Sequence, residues 1–134
     1  IGIAAWPLHD ESHSEGGSFP VPEPAASKHK YYIPASYVKW AEGAGARVVP
    51  LLLSQSETSI RETVQQLNGV IFIGGGGDID RGSPVRRFAD LIFDEVLRLN
   101  DQGQHLPLWG TCLGFEILAK IISGDDTVLS RSNA

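Results

Sequence analysis

The chain has 134 residues, of which 42% are hydrophobic and 20% are charged, and its formal net charge is −5. This length suffices for one domain with a hydrophobic core. The acidic balance, with no basic cluster beyond Arg86 and Arg87, argues against a nucleic-acid partner. No apolar run is long enough to cross a bilayer, so no membrane partner is expected. The single cysteine, Cys112, permits no internal disulfide.

The sequence predicts strands and helices that alternate strictly along the chain. Apolar and β-branched runs predict strands over residues 1–5, 47–53, 70–73 and 106–109. Amphipathic spacing predicts helices over residues 32–44, 57–67, 85–99 and 113–122. Residues 6–30 have no periodicity and predict an irregular loop. The order βαβαβαβα predicts an α/β fold with a parallel sheet and helices on both faces. Because the chain opens within a strand and shows no signal peptide, we expect that it was processed or trimmed upstream.

Cys112 lies between Gly110 and Gly114, where the last predicted strand turns into the last helix. Gly-x-Cys-x-Gly is the nucleophile-elbow pattern with cysteine in place of serine. The two glycines let the strand and the helix cross closely. The positive end of the helix dipole favours the thiolate, which is the reactive form. We therefore predict that Cys112 is a catalytic nucleophile; the alternative is a small buried hydrophobic residue.

The segment 109–116, with the sequence WGTCLGFE, closely resembles the active-site segment of γ-glutamyl hydrolases. These are class I glutamine-amidotransferase-like enzymes that trim poly-γ-glutamate tails from folates. Residues 31–50 and 67–75 resemble the same family. The resemblance implies a flavodoxin-like fold that is incomplete at its C-terminus, with residues 1–134 forming the N-terminal part of a single domain. It also implies a small-molecule poly-γ-glutamate substrate, no cofactor, and a lysosomal, vacuolar or extracellular location.

Two backbone amides are candidates for an oxyanion hole. Attack by a thiolate on an amide carbonyl creates an oxyanion, and the amide of Leu113, directly after the nucleophile, is one expected donor. The second should come from the glycine-rich turn, residues 74–77, because the carboxyl ends of parallel strands meet at one edge of the sheet. The resemblance assigns this donor to Gly75, with Gly74 beside it. The alternative is a flexible turn that merely ends a strand.

Asp78 and Asp80 follow the glycine-rich turn and could be imagined as metal ligands. No histidine or cysteine lies near them in sequence, so we interpret them as solvated turn residues and predict no metal site. The turn is not a nucleotide-binding motif either, because Ile79 occupies the position of the third glycine of G-x-G-x-x-G.

Glu116 and Tyr37 are the candidate substrate-binding side chains. Glu116 follows Cys112 by four residues and should share its helix face, although an acid in a first turn can also simply complement the helix dipole. Glutamine-hydrolysing relatives commonly carry Gln here and γ-glutamyl hydrolases carry Glu, so the resemblance implies that Glu116 faces the amino group of the substrate. Tyr37 matches a family tyrosine near the active centre; on helical spacing alone it is a core-facing aromatic residue.

A general base is not evident in the chain. A cysteine nucleophile needs a histidine to activate it and to protonate the leaving amine. The histidines of the chain lie in the irregular loop or before the nucleophile strand, and they are His9, His13, His29 and His105. The catalytic histidine of the family, followed two residues later by glutamate, lies beyond the position of Ala134. We therefore expect residues 1–134 to be inactive by themselves.

The leading hypothesis is hydrolysis of γ-glutamyl amide bonds through a Cys112 thioester. A glutaminase domain of an amidotransferase and a catalytically inactive structural or interaction relative stay open as alternatives. We expect the edge of the sheet to be covered by the remaining C-terminal part of the same protein or by a partner. A homodimer also stays open, because the sequence does not determine the oligomeric state.

Overall fold

The structure, a computed structural model, describes residues 1–7 and 31–130. The strands of this part are β1 (Gly2–Pro7), β2 (Tyr31–Tyr32), β3 (Val49–Leu52), β4 (Val70–Phe72) and β5 (Leu108–Gly110). The helices of this part are α1 (Ala35–Gly43), α2 (Glu57–Val64), α3 (Pro84–Asp101) and α4 (Leu113–Ser123). They alternate along the chain as the sequence predicts, apart from the short additional strand β2.

The sheet is mostly parallel and its parallel strands run in the order β3–β1–β4–β5. Ile3 of β1 is in register with Pro50 of β3 on one side and with Ile71 of β4 on the other. The two-residue strand β2 pairs antiparallel with the carboxyl end of β1. The four helices of the described residues flank the sheet, so the predicted flavodoxin-like α/β fold class is confirmed.

The hydrophobic core lies between the central strands and the helices. Trp6, Phe72 and Phe88 form an aromatic cluster at the ends of β1 and β4, with ring centroids 5.9 Å apart for Trp6 and Phe72. Buried Ile92 of α3 and Ile117 of α4 continue this core. The indole Nε1 of Trp6 donates to the carbonyl oxygen of Ile73 at 2.8 Å, which fixes the chain at the point where it leaves β4.

The first helix begins later than the sequence predicts. Residues 31–32 form β2, and α1 starts at Ala35 after Pro34, which occupies the N-cap with an extended backbone. A residue before proline is disfavoured in the helical region, and this explains why the helix cannot extend back through Ile33. The helix ends as a Schellman motif, in which the amides of Gly45 and Ala46 donate to the last carbonyl groups of α1 and Gly45 has φ +85°.

Several other boundaries also differ from the prediction, by up to three residues, as at the end of α2, which lies at Val64 instead of residue 67. Strand β5 begins at Leu108, because the side chain of Asn100 binds both the amide and the carbonyl group of Leu106 and holds that residue in the preceding turn. Strand β1 extends to Pro7, so the predicted loop loses its first two residues to the sheet. The rest of that loop, residues 8–30, lies outside the described residues.

Candidate active site

The turn between β5 and α4 forces Cys112 into an unusual backbone conformation. Its φ of +51° and ψ of −115° make it the only non-glycine residue with positive φ within residues 1–7 and 31–130. Such a conformation costs about 1–3 kcal/mol and persists only where the surrounding structure enforces it. The side chain of Cys112 is exposed at the N-terminus of α4. Strain, exposure and a helix N-terminus therefore coincide at the predicted nucleophile.

The two elbow glycines allow this turn to exist. A Cβ atom placed on Gly114 would lie 2.6 Å from the carbonyl carbon of Phe72, and one on Gly110 would lie 2.7 Å from the backbone of Gly114. Both distances are far below normal contact, so α4 can approach β4 and β5 only without these side chains. The amide of Thr111 donates to the carbonyl oxygen of Phe72 at 3.0 Å and ties the elbow to β4.

The glycine-rich turn lies beside the elbow, as the sequence predicts from their shared sheet edge. A Cβ atom placed on Gly74 would lie 3.3 Å from the Cβ of Cys112 and 3.2 Å from the hydroxyl oxygen of Tyr37. That hydroxyl accepts a hydrogen bond of 2.9 Å from the amide of Gly74. The structure therefore brings Cys112, Gly74 and Tyr37 together, and Tyr37 fixes the start of the turn.

Gly75 has φ +155° and lies beside Trp6 and Tyr32. A Cβ atom there would lie 3.1 Å from the indole ring of Trp6 and 3.2 Å from the hydroxyl oxygen of Tyr32. In the described part of the chain, the amides of Gly75 and Leu113 donate to no hydrogen-bond acceptor. Two amides at this edge are thus available for an external acceptor.

Glu116 lies one turn into α4, where its amide donates to the carbonyl oxygen of Cys112 at 3.0 Å. Its side chain is half-buried and, among the described residues, has no ion-pair partner. A carboxylate in that position can accept a cationic group of a ligand.

An aromatic groove of about 310 Å³ adjoins the elbow. Trp40 and Trp109 form its walls, with ring centroids 6.2 Å apart, and both remain more than half exposed. Tyr37 and Thr111 connect the groove to the glycine-rich turn and to the elbow, and the Trp109 indole donates to the Thr111 hydroxyl at 3.1 Å. The sequence analysis missed this groove, because α1 and β5 are distant in sequence and no spacing relates their tryptophans.

A larger concavity, about 630 Å³, lies on α2 and α3 and is lined by the charged residues Arg61, Glu95 and Arg98. Glu95 is almost completely buried, and its pKa is lowered to about 2, mainly by the hydrogen bond from Arg98. Burial acts in the opposite direction, whereas the hydrogen bonds from Gln65 and Arg61 lower the pKa further. Both arginines are thus engaged by Glu95. We place the candidate site at the elbow, because the strained cysteine and the available amides lie there.

The sequence model of the peptidase C26 family matches residues 21–127. The chain belongs to the peptidase C26 family. It is 45% identical over 100 residues to the gamma-glutamyl hydrolase of Mus musculus, and this alignment covers 75% of the chain and 31% of the relative. It is 44% identical over 96 residues to the gamma-glutamyl hydrolase of Homo sapiens, covering 72% of the chain and 30% of the relative. The probable gamma-glutamyl hydrolase 3 of Arabidopsis thaliana is 44% identical over 103 residues, which are 77% of the chain and 28% of that protein. The chain therefore spans less than a third of the length of these relatives.

The one histidine among the described residues of this peptidase C26 chain lies away from the candidate site. His105 is exposed in the turn before β5, at the opposite end of that strand from Cys112. His9, His13 and His29 lie outside the described residues. In residues 1–7 and 31–130 no group of histidine, cysteine and acidic side chains is arranged to hold a metal ion, and no helix is long and apolar enough to cross a membrane.

Asp80 is exposed in the turn, as predicted, but it also has an ion-pair partner that the sequence analysis missed. Its carboxylate forms an ion pair with Lys120, whose side chain is 8% exposed. Asp78 instead stabilises its own turn, because its carboxylate accepts from the amide of Asp80 at 2.9 Å. The sequence contains a signal for this pair: Lys120 continues the buried stripe of Leu113 and Ile117 along α4, and a charge on such a stripe requires a partner.

Proposed function

We propose that this chain carries the nucleophile and the oxyanion hole of a cysteine-dependent γ-glutamyl hydrolase. The observation that supports it most is the strained elbow: Cys112 has φ +51° and an exposed thiol at the start of α4. Family membership and the gamma-glutamyl hydrolase names of its relatives support the reaction class. The substrate is a small molecule with γ-linked glutamate residues, and no cofactor takes part.

In the proposed reaction, the Cys112 thiolate attacks the carbonyl carbon of the γ-amide. The carbonyl oxygen becomes an oxyanion that accepts hydrogen bonds from the amides of Gly75 and Leu113. These amides have no acceptor among the described residues, which supports this assignment. The C–N bond then breaks, the amine leaves with a proton from a general acid, and a thioester with Cys112 remains. Water releases the γ-carboxylate and restores the thiolate.

The proton transfers require a histidine that the described residues do not supply. His105 lies at the wrong end of β5. We propose that a histidine followed two residues later by glutamate, in a part of the protein outside this sequence, approaches Cys112 from the carboxyl edge of the sheet. Residues 1–134 alone should therefore be inactive, since the members of a catalytic triad act as a unit.

Glu116 is the proposed substrate-binding carboxylate. Its half-buried carboxylate lies one turn from Cys112 and has no ion-pair partner in the described part of the chain. It would bind the α-amino group of the γ-linked glutamate and hold the scissile amide near the thiol. We propose that the aromatic groove at Trp40 and Trp109 adjoins the bound substrate.

The test is hydrolysis of γ-linked diglutamate and of free glutamine by the complete protein, each with wild-type enzyme, Cys112→Ser and Glu116→Gln. The proposal predicts turnover of γ-linked diglutamate, loss of that turnover in Cys112→Ser, and weaker turnover of both substrates in Glu116→Gln, because glutamine carries the same α-amino group. Efficient hydrolysis of glutamine alone would establish a glutaminase domain. No hydrolysis of either by the folded complete protein would establish an inactive relative.

A further inference from the structure

Residues 78–83, the segment that follows the glycine-rich turn, lie against the C-terminal end of α4. Asp80 of this segment forms an ion pair with Lys120 of the helix. The neighbouring Arg81 donates from Nη2 to the carbonyl oxygen of Gly124, just beyond the helix, at 2.8 Å. The segment is therefore attached to the same helix that begins at Cys112.

Lys120 is the buried residue of the ion pair with Asp80. Its side chain is 8% exposed, whereas the side chain of Asp80 is 69% exposed. An ammonium group removed from water is stable only when it is paired, and Asp80 is its hydrogen-bond partner in the described part of the chain. The pair therefore resists separation much more strongly than an ion pair between two exposed side chains.

Two further ion pairs, both made by Arg86, hold the place where the segment leads into α3. Arg86, in the first turn of α3, donates at 2.8 Å to Asp126 and at 2.8 Å to Asp90, and its side chain is 4% exposed. Burial raises the pKa of Asp126, but the hydrogen bond from Arg86 and the nearby Arg81 outweigh it and hold this pKa below its ordinary value. Both ends of the segment are thus bound to α4 or to the turn after it.

The glycine-rich turn itself has few side chains with which to hold its position. On one flank, Tyr37 binds the amide of Gly74; on the other flank, Asp80 binds Lys120. Lys120 lies eight residues after Cys112, about 12 Å along the axis of α4. One rigid helix thus carries the nucleophile at its start and anchors the flank of the glycine-rich turn near its end.

We propose that the Asp80–Lys120 ion pair is a positioning contact that holds the amide of Gly75 in register with Cys112. This inference rests on the proposed function, in which that amide binds the oxyanion. A displacement of about 1 Å in a catalytic group can lower a rate by about two orders of magnitude. Breaking the pair should weaken stabilisation of the oxyanion without changing the nucleophile or the substrate-binding side chains.

The experiment uses Lys120→Met in the complete protein, with γ-linked diglutamate as the substrate. We expect kcat to fall about tenfold while KM stays within about twofold, because the lost interaction exists only in the transition state. The affinity for a γ-glutamyl aldehyde, whose adduct with Cys112 places an oxygen in the oxyanion position, should fall by a similar factor. The rate of Cys112 alkylation by iodoacetamide, which needs no oxyanion hole, should not change.

Three further variants test the positioning role. Lys120→Arg keeps the positive charge and should recover most of kcat. Asp80→Asn should reproduce the kcat loss. The double variant with Lys120→Met and Asp80→Asn should have a kcat no lower than either single variant, since both substitutions remove the same contact. Lys120→Met removes the buried charge together with the contact, so it keeps the test valid if Asp80→Asn, which leaves the Lys120 ammonium group unpaired, does not fold. Arg98→Met, which removes an ion pair with buried Glu95 on α3, is the matched control and should leave kcat unchanged.

Unchanged kcat and aldehyde affinity in folded Lys120→Met and Asp80→Asn would overturn the inference. An equal loss of kcat in Arg98→Met would also overturn it, because the effect would then be one of general stability. Cys112→Ser separates this failure from failure of the proposed function. If Cys112→Ser keeps wild-type turnover, the proposed function itself is wrong; if it is inactive while Lys120→Met is unaffected, only the positioning role is wrong.

Discussion

Two helical glycines in this chain should respond in opposite ways to the same substitution. Gly43 is the last residue of α1, and a Cβ atom there would meet nothing within 4 Å. Gly114 lies in the first turn of α4, and a Cβ atom there would lie 2.6 Å from the carbonyl carbon of Phe72 and 2.7 Å from its Cβ. Alanine has the better helix propensity, by up to about 1 kcal/mol, so the neighbours decide the sign of each effect.

The structure sets the magnitude at Gly114. Carbon atoms pack at about 3.5–4.0 Å, so α4 would have to move away from β4 by about 1 Å to accept the new methyl group. Overpacking of this kind costs about 1–3 kcal/mol, and here the obstacle is backbone, which yields less than a side chain. We expect Gly114→Ala to lower the free energy of unfolding by about 1–3 kcal/mol and Gly43→Ala to raise it by up to about 1 kcal/mol.

Urea unfolding of the complete protein, followed by far-UV circular dichroism, measures both effects. The same shift of α4 displaces Cys112, so Gly114→Ala should also lower kcat by about one to two orders of magnitude, whereas Gly43→Ala should not. A Gly114→Ala protein as stable and as active as Gly43→Ala would refute the close crossing of α4 and β4 on which the elbow depends.

The other predictions concern a hydroxyl group and a buried carboxylate. Tyr37→Phe removes the acceptor of the Gly74 amide, so kcat should fall about tenfold and the free energy of unfolding should fall by about 1–2 kcal/mol. Steady-state hydrolysis and urea unfolding measure these two effects. An unchanged kcat would exclude a catalytic role for this hydrogen bond. Because the folded-state pKa of Glu95 is about 2, below its ordinary value of 4.5, its ion pairs stabilise the fold above pH 4.5 and this contribution is lost as the pH falls towards 2. Glu95→Gln should lower stability at pH 7 by about 1–3 kcal/mol and flatten the decline between pH 4.5 and 2; an unchanged pH profile in urea unfolding would contradict the role of Arg98.

The sequence predicts those parts of the fold that local patterns determine. The amphipathic period defines α2 and α3 to within about three residues at each end, and the glycines around Cys112 indicate the elbow. The boundaries that fail are set by contacts between distant segments. Strand β2 exists because Tyr32 pairs with Trp6 of β1, and β5 starts late because Asn100 holds Leu106.

The same distinction between local patterns and contacts of distant segments applies to the candidate site. Its backbone elements follow from motif and spacing, whereas the contacts that fix them do not. The hydrogen bond from Gly74 to Tyr37 joins residues 37 positions apart, and the ion pair of Asp80 with Lys120 joins residues 40 positions apart. No local pattern specifies such partners, because they depend on how α1 and α4 dock at one sheet edge.

The most direct measurement of the central claim is mass spectrometry of the complete protein, quenched in acid during steady-state hydrolysis of γ-linked diglutamate. If Cys112 is the nucleophile, the peptide that contains it carries the mass of one γ-glutamyl group, and hydroxylamine removes that mass because the bond is a thioester. Turnover at the wild-type rate by Cys112→Ser, with no glutamyl adduct on the Cys112 peptide of the wild-type protein, would contradict the claim.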